Sequence, residues 1–220
     1  MNNHEKWLNL HSNKKHQPLY PHEIFVTFTF KNFTRSSKIL DLGCGGGRHV
    51  KFLAENGFET YGCDYSENGI KITNELLKEN NLKADLKVAS VDKLPYDDNF
   101  FDGLICFGVL YYNDKDTIEK SAKEIYRILK NDAKALIVVR TLNDYRYKDS
   151  IKKDKYSVII KETNPKRSAY AENDMNMYFF DENEVNRIFS IFKNIEINTY
   201  EISHENGLIF DSNYLITLQK

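Results

Sequence analysis

Within the run Ile39-Leu-Asp-Leu-Gly-Cys-Gly-Gly-Gly-Arg48, apolar residues lead into Asp41, and glycines then fill four of the five positions 43–47. A polar, helix-favouring segment follows from Arg48 to Glu55. That order reads as a buried strand, a tight turn and a helix N-terminus, in which a ligand can meet bare backbone N–H groups. An ordinary strand-to-helix bend needs one glycine, not four. Further acids stand at comparable places: Asp64 closes a second strand-like run, and Asp92 follows Val91 after a third. A carboxylate so placed can accept hydrogen bonds from vicinal hydroxyls or from an amino group. Cys44, Cys63 and Cys106 have no CxxC spacing, and His4, His11 and His16 match neither a helical i, i+4 pair nor a zinc-finger pattern. No metal site is expected.

The elements that must hold these residues alternate regularly. Strands are expected at Lys38–Leu42, Phe58–Asp64, Leu86–Ala89, Phe101–Phe107 and Lys134–Arg140. Between them run helices Arg48–Asn56 closed by Gly57, a helix from the N-cap Ser66 to Asn80, and Asp116–Leu129. Such alternation argues an α/β fold with a parallel sheet covered on both faces. Upstream, Ile24, Val26, Phe28 and Phe30 alternate like a strand, but Pro21 and Glu23 signal a helix start, and a helix beside the sheet is expected. Thr141–Met177 breaks the rhythm as a long, irregular, aromatic-rich segment, after which a helix at Asp181–Phe192 and strands at Ile195–Ile202 and Tyr214–Leu218 close the chain. The expectation is a single domain, 1–220: an N-terminal arm or lid and helix (1–37), a ligand-binding core (38–140), an insert (141–177), and a closing helix and strands (178–220). Trp7 and Tyr20 either belong to a loosely held arm or anchor a lid.

Composition excludes several classes. The 31 basic and 32 acidic residues nearly cancel, and seven of the basic residues are arginine, so neither nucleic acid nor an anionic membrane is an expected partner. No apolar run approaches the ~20 residues of a membrane span, and the N-terminus lacks the apolar core of a signal peptide. A cytoplasmic protein, monomeric or homodimeric, is expected.

Two ligand classes use a strand–glycine turn–helix entry, dinucleotides and S-adenosylmethionine. The dinucleotide fingerprint G-x-G-x-x-G fails in both registers, because its third glycine would fall on Arg48 or Val50. What stands there is D-x-G-x-G-x-G, and an acid at the mouth of the turn suits a cationic ligand better than a diphosphate. S-adenosylmethionine carries a sulfonium and an ammonium.

Five motifs in order carry a resemblance. They are Ile39-Leu-Asp-Leu-Gly-Cys-Gly-Gly-Gly-Arg-His49, Gly62-Cys-Asp-Tyr-Ser66, Asp92-Lys-Leu-Pro-Tyr-Asp-Asp-Asn-Phe-Phe-Asp102, Phe107-Gly-Val-Leu-Tyr-Tyr112 and Ile128-Leu-Lys-Asn-Asp132. Over Lys38–Arg140 the chain resembles a class I S-adenosylmethionine-dependent methyltransferase of the group with small-molecule acceptors. The resemblance implies a Rossmann-like, seven-stranded, mostly parallel sheet whose last strand is antiparallel. It also implies that Asp41, Gly43, Cys44, Gly45 and Gly47 hold the methionine portion. Asp64, flanked by Tyr65 and Ser66, would take the ribose, Val91 and Asp92 the adenine, and Phe107 would pack near the cofactor, whose product is S-adenosylhomocysteine.

Methyl transfer from a sulfonium is an in-line displacement, so the main demand is to hold the nucleophile about 3 Å from the methyl carbon. A general base matters where the acceptor must lose a proton. His22, Tyr111 and Tyr112 are candidates; His22 reads more readily as a helix-start histidine with no catalytic part, and a tyrosine ring could instead face the sulfonium. His49 is expected to be structural. On the acceptor side the candidates are Tyr20, Tyr111, Arg140, Arg146 and Arg167. Eight basic against four acidic residues between Thr141 and Tyr170 suggest either a phosphorylated or acidic acceptor, such as a nucleotide sugar or glycan precursor, contacted by Arg146, Lys152, Lys153 or Arg167, or simply a solvated loop. The expected function is methyl transfer to O or N of a small molecule; the alternatives are an RNA or protein methyltransferase, or a non-catalytic cofactor-binding protein. The three cysteines are expected to cluster, reduced, around the cofactor.

Overall fold

The structure, a computed structural model, describes Asn3 and residues 18–220. Trp7, His4, His11 and His16 lie outside the described residues. Within residues 18–220 the first helix is α1 (Glu23–Asn32), and the side chain of His22 caps it by accepting from Ile24 N–H. Strand-like alternation here yields to tertiary packing. Phe25 and Thr29, one helical turn apart, are fully buried, and Phe25 packs with Ile39, Leu53, Phe58 and Ile105.

The chain then runs through β1 (Lys38–Leu42), α2 (Arg48–Glu55), β2 (Glu59–Asp64), α3 (Glu67–Glu79), β3 (Asp85–Val88), β4 (Phe101–Phe107), α4 (Lys115–Ile128) and β5 (Leu129–Arg140). Ser66 caps α3, and Gly57, at φ 80°, follows the end of α2. The insert holds α5 (Tyr145–Asp149), β6 (Ile151–Lys152), β7 (Ser157–Ile159) and β8 (Asn176–Tyr178); α6 (Glu182–Ile188), β9 (Asn194–His204) and β10 (Ile209–Gln219) follow. The main sheet has the order β3-β2-β1-β4-β5-β10-β9, and β10 is antiparallel to both its neighbours. This is the seven-stranded, mostly parallel arrangement with helices on both faces that the resemblance implied.

Alternation along the central strands feeds two cores. Ile39, Ile105, Leu136 and Val138 face α1 and α2, while Leu40, Leu104, Ile137 and Val139 join Ile118, Ala122, Ile125 and Phe189 of α4 and the α6 region. Both faces are apolar, as expected of covered parallel strands. Because β1 leads outward to β2 and β3 while β4 leads to β5 on its other side, the strand order reverses between β1 and β4. That crevice is where open α/β sheets bind ligands.

Three boundaries differ from expectation. Leu129 ends its helix and begins β5, pairing with Phe101 before a register shift in which Asp132 adopts φ 63°. The insert is ordered: β6, β7 and β8 form an antiparallel sheet whose strands of two or three residues are too short to leave a readable alternation. The closing helix stops at Ile188, and β9 and β10 run past their expected ends as a largely exposed hairpin.

Candidate active site

The glycine turn is shaped by its backbone. Gly43, Gly45 and Gly47 have φ of 80°, 50° and 83°, the left-handed region that disfavours side chains. Space reinforces the choice, since a Cβ on Gly43 would lie 2.3 Å from Val109 and one on Gly47 2.6 Å from Thr73. The N–H groups of Gly43 and Cys44 donate to the Cys63 carbonyl at 2.8 and 3.0 Å, tying the turn to the end of β2. There Asp64 accepts from Gly45 N–H and Ser66 N–H, both at 2.9 Å, which fixes the direction of its carboxylate.

Around this turn opens a cavity of about 590 Å³, within the size range of small-molecule sites. It is lined by Gly43 to Gly46, Arg48, His49, Asp64, Tyr65, Ser90 and Val91 on the β1–β3 side and by Phe107, Gly108, Val109, Tyr111, Tyr112 and Asn113 at and after the end of β4, with Asn3 and Pro18 completing it. Of the residues named from the sequence, Gly43, Cys44, Gly45, Asp64, Tyr65, Val91, Phe107, Tyr111 and Tyr112 are therefore brought together. Gly47 shapes the turn from behind.

Other candidates stand elsewhere. Asp41 is 2 % exposed and not in the lining; its Oδ1 lies 3.9 Å from His49 Nδ1, and its Oδ2 is buried without a hydrogen-bond partner among the described residues. Asp92 is half-buried and accepts from Ser90 Oγ, so Ser90 rather than Asp92 forms the wall. The Ser66 hydroxyl is occupied in capping α3 at Gly69 N–H, 3.2 Å away. His22 lies outside the lining: its Nδ1 accepts from Ile24 N–H, and its ring packs 4.6 Å from Phe107. His49 is buried, yet it also lines the cavity. Its Nε2 accepts from His22 N–H at 3.2 Å, which puts its proton on Nδ1 toward Asp41, and its ring stacks 3.9 Å from Phe25. Burial lowers the His49 pKa, against the upward pull of Asp41.

The acceptor-side expectations need correction. Tyr20 is 81 % exposed, and its carbonyl accepts from Arg48 at 3.3 Å. Arg140 pairs with Asp144 at 2.6 Å and lies 5.1 Å over the Tyr111 ring, so a cation already occupies that ring. Arg146 is 3 % exposed and bound by Glu172, Asp144, Asp211 and Ser168. Arg167 pairs with Glu205 and Glu162. Lys152 donates to the Tyr147 carbonyl and Lys153 to Asn176. None of these groups lines the cavity; Arg146 and Arg167 are held by acids distant in sequence, Glu172, Asp211 and Glu205. Cys63 and Cys106 are fully buried in the core beneath the sheet ends, so only Cys44 reaches the cavity.

Sequence reasoning missed Arg48 as a wall residue, although its place directly after the glycines was the signal. With Arg48 the wall carries a cation as well as the carboxylates of Asp64 and, behind it, Asp41. A zwitterionic amino-acid end and a ribose would find both signs there. The side-chain-free turn and the unpaired Asp41 Oδ2 fit S-adenosylmethionine on the same grounds. Among the described residues no cluster with metal-ligand geometry occurs, and no helix is long and apolar enough to cross a membrane.

Residues 39–132 match the family described as Methyltransferase domain. A ubiquinone biosynthesis O-methyltransferase of Pelagibacter ubique is 33% identical over 110 residues, 50% of this chain and 43% of that protein. An uncharacterised protein of Methanocaldococcus jannaschii is 33% identical over 114 residues, 52% of this chain and 46% of that one. The chain thus spans less than half the length of these curated relatives. Across the whole fold, a crystal structure of an S-adenosylmethionine-dependent methyltransferase from Methanosarcina mazei superposes with a TM-score of 0.72 at 22% identity, covering 92% of this chain and 99% of that one. Over residues 39–132 the chain is thus similar to methyltransferase domains, and its sheet order is the fold of S-adenosylmethionine-dependent methyltransferase structures.

Proposed function

We propose that the protein transfers a methyl group from S-adenosylmethionine to oxygen or nitrogen of a small, largely uncharged acceptor. The observation that carries this reading is one cavity with two unlike walls. The glycine turn, Arg48 and Asp64 make the polar one, and Phe107, Val109, Tyr111 and Tyr112 the aromatic one. Bound S-adenosylmethionine supplies a methyl carbon activated by its sulfonium. The chain's part is binding and orientation: Asp64, held by two backbone N–H groups, accepts from the ribose hydroxyls, and Arg48 pairs with the α-carboxylate. Asp41, buried behind His49, adds negative potential for the cationic end.

On the other wall the apolar and aromatic side chains exclude water and favour a flat acceptor. An acidic or phosphorylated acceptor loses the support it had from the sequence, because the insert's arginines and Lys152 and Lys153 are engaged elsewhere. The Pelagibacter relative, named for an O-methylation in quinone synthesis, agrees with an acceptor of this kind. The test is calorimetric titration with S-adenosylhomocysteine. Asp64→Ala loses charge-assisted hydrogen bonds of about 1.5–3 kcal/mol, so affinity falls at least about tenfold. Unchanged affinity would refute the placement.

A further inference from the structure

Two neighbouring tyrosines line the aromatic side of the cavity, and their hydroxyls are placed differently. That of Tyr112 donates to Glu172 at 2.7 Å. Tyr111 is 6 % exposed, and its hydroxyl has no hydrogen-bond partner among the described residues. Its oxygen is not sealed off: a Cβ on Gly108 would lie 3.1 Å from it, and Gly108, at φ 77°, lines the same cavity. Glycine at that position leaves the approach to the hydroxyl open. Neighbours hold the ring in place. The Tyr112 ring packs against it with centroids 4.5 Å apart, and the Arg140 guanidinium lies 5.1 Å over it, itself held by Asp144 and Asp211. A hydroxyl taken out of water and left unpaired costs free energy, so its complement is a polar atom of a bound molecule. A cation over the ring draws electron density from the phenol and polarises its O–H bond toward donation.

We infer that Tyr111 is a specificity-determining residue: its hydroxyl donates to a lone-pair oxygen of the substrate, so the pocket selects flat molecules that carry a carbonyl over hydrocarbons of the same shape. This deepens the proposed function and rests on it. The aromatic side chains around Tyr111 supply area without direction, and a single hydrogen bond from a fixed ring supplies the direction. Discrimination of this kind is strongest where the group on the protein would otherwise stay unpaired, which is the position of the Tyr111 hydroxyl.

The probes are acetophenone, whose carbonyl oxygen can accept, and α-methylstyrene, which has the same shape with a CH₂ group in place of that oxygen. Their dissociation constants are measured by ligand-observed NMR on the full chain saturated with S-adenosylhomocysteine. In Tyr111→Phe, acetophenone should bind about three- to tenfold more weakly, the worth of one hydrogen bond, while α-methylstyrene does not weaken. The substitution removes an oxygen that no described residue pairs with, so Tm should not fall; a lowered Tm with equal weakening of both probes would make the hydroxyl structural and overturn the inference. Undiminished acetophenone binding in Tyr111→Phe, or no saturable acetophenone binding to the unaltered protein, would overturn it as well. S-adenosylhomocysteine affinity of the unaltered protein reads the cofactor half separately, so its absence identifies a failure of the proposed function instead.

Discussion

His49 illustrates how a single buried group links the site to solution conditions. It is held neutral between the His22 backbone N–H, which donates to Nε2, and the Asp41 carboxylate facing Nδ1. Burial lowers its pKa from the usual 6.5, and burial likewise lowers that of His22. The unfolded chain therefore binds more protons than the folded one near pH 6, and stability rises with pH in that range. The contribution is complete above pH ~6.5 and is lost as pH falls toward the depressed folded values. Thermal denaturation should show a Tm that falls between pH 7.5 and 5.5, and His49→Gln, whose amide oxygen can still accept from His22, should flatten that slope. The cysteines give a second residue-scale outcome. Cys44, 7 % exposed at the wall, should be slowed in alkylation by S-adenosylhomocysteine, while Cys63 and Cys106, at 0 %, stay unreactive with or without it. Mass spectrometry of the labelled peptides separates the three.

At the scale of elements, the β1–α2 turn is fixed by its neighbours as firmly as by its own glycines. Gly47→Ala sets a Cβ at φ 83° against Thr73 of α3, so it should destabilise by about 1–3 kcal/mol in urea unfolding and weaken cofactor binding in step. The insert behaves differently. Arg146→Met leaves the buried Glu172 without its guanidinium partner, and Asp144 and Asp211 with Arg140 alone of their two arginines, and should cost about 3–5 kcal/mol, whereas Arg167→Ala breaks a more exposed pair with Glu205 and a longer one with Glu162 and should cost less. This contrast marks what the sequence could convey. The strand–turn–helix entry, Asp64 and Phe107 were legible because each is encoded within a few neighbouring residues. The basic insert left two readings open, an anion-contacting surface or a solvated loop, because Asp211 and Glu205 lie far along the chain and meet Arg146 and Arg167 only in the folded state. The α1 helix shows the same limit from the other side, its strand-like pattern being overruled by Phe25 and Thr29 packing on the sheet.

For the molecule as a whole, the sheet order sets the chemistry. Reversal between β1 and β4 opens a crevice, the glycine turn and Asp64 line one side of it, and the aromatic loop after β4 lines the other. The insert and Asn3 close that aromatic side: the Asn3 amide donates to the carbonyls of Tyr112 and Asn176 at 2.7 and 2.8 Å. One measurement reaches the central claim directly. The protein is incubated with methyl-labelled S-adenosylmethionine and a desalted cell extract split into small-molecule, RNA and protein fractions. Label should appear, enzyme-dependently, in a small neutral aromatic product, and at sub-saturating cofactor Asp64→Ala should lower it at least about tenfold. Label in RNA or protein alone, or binding of the cofactor with no transfer to any fraction, would contradict the account.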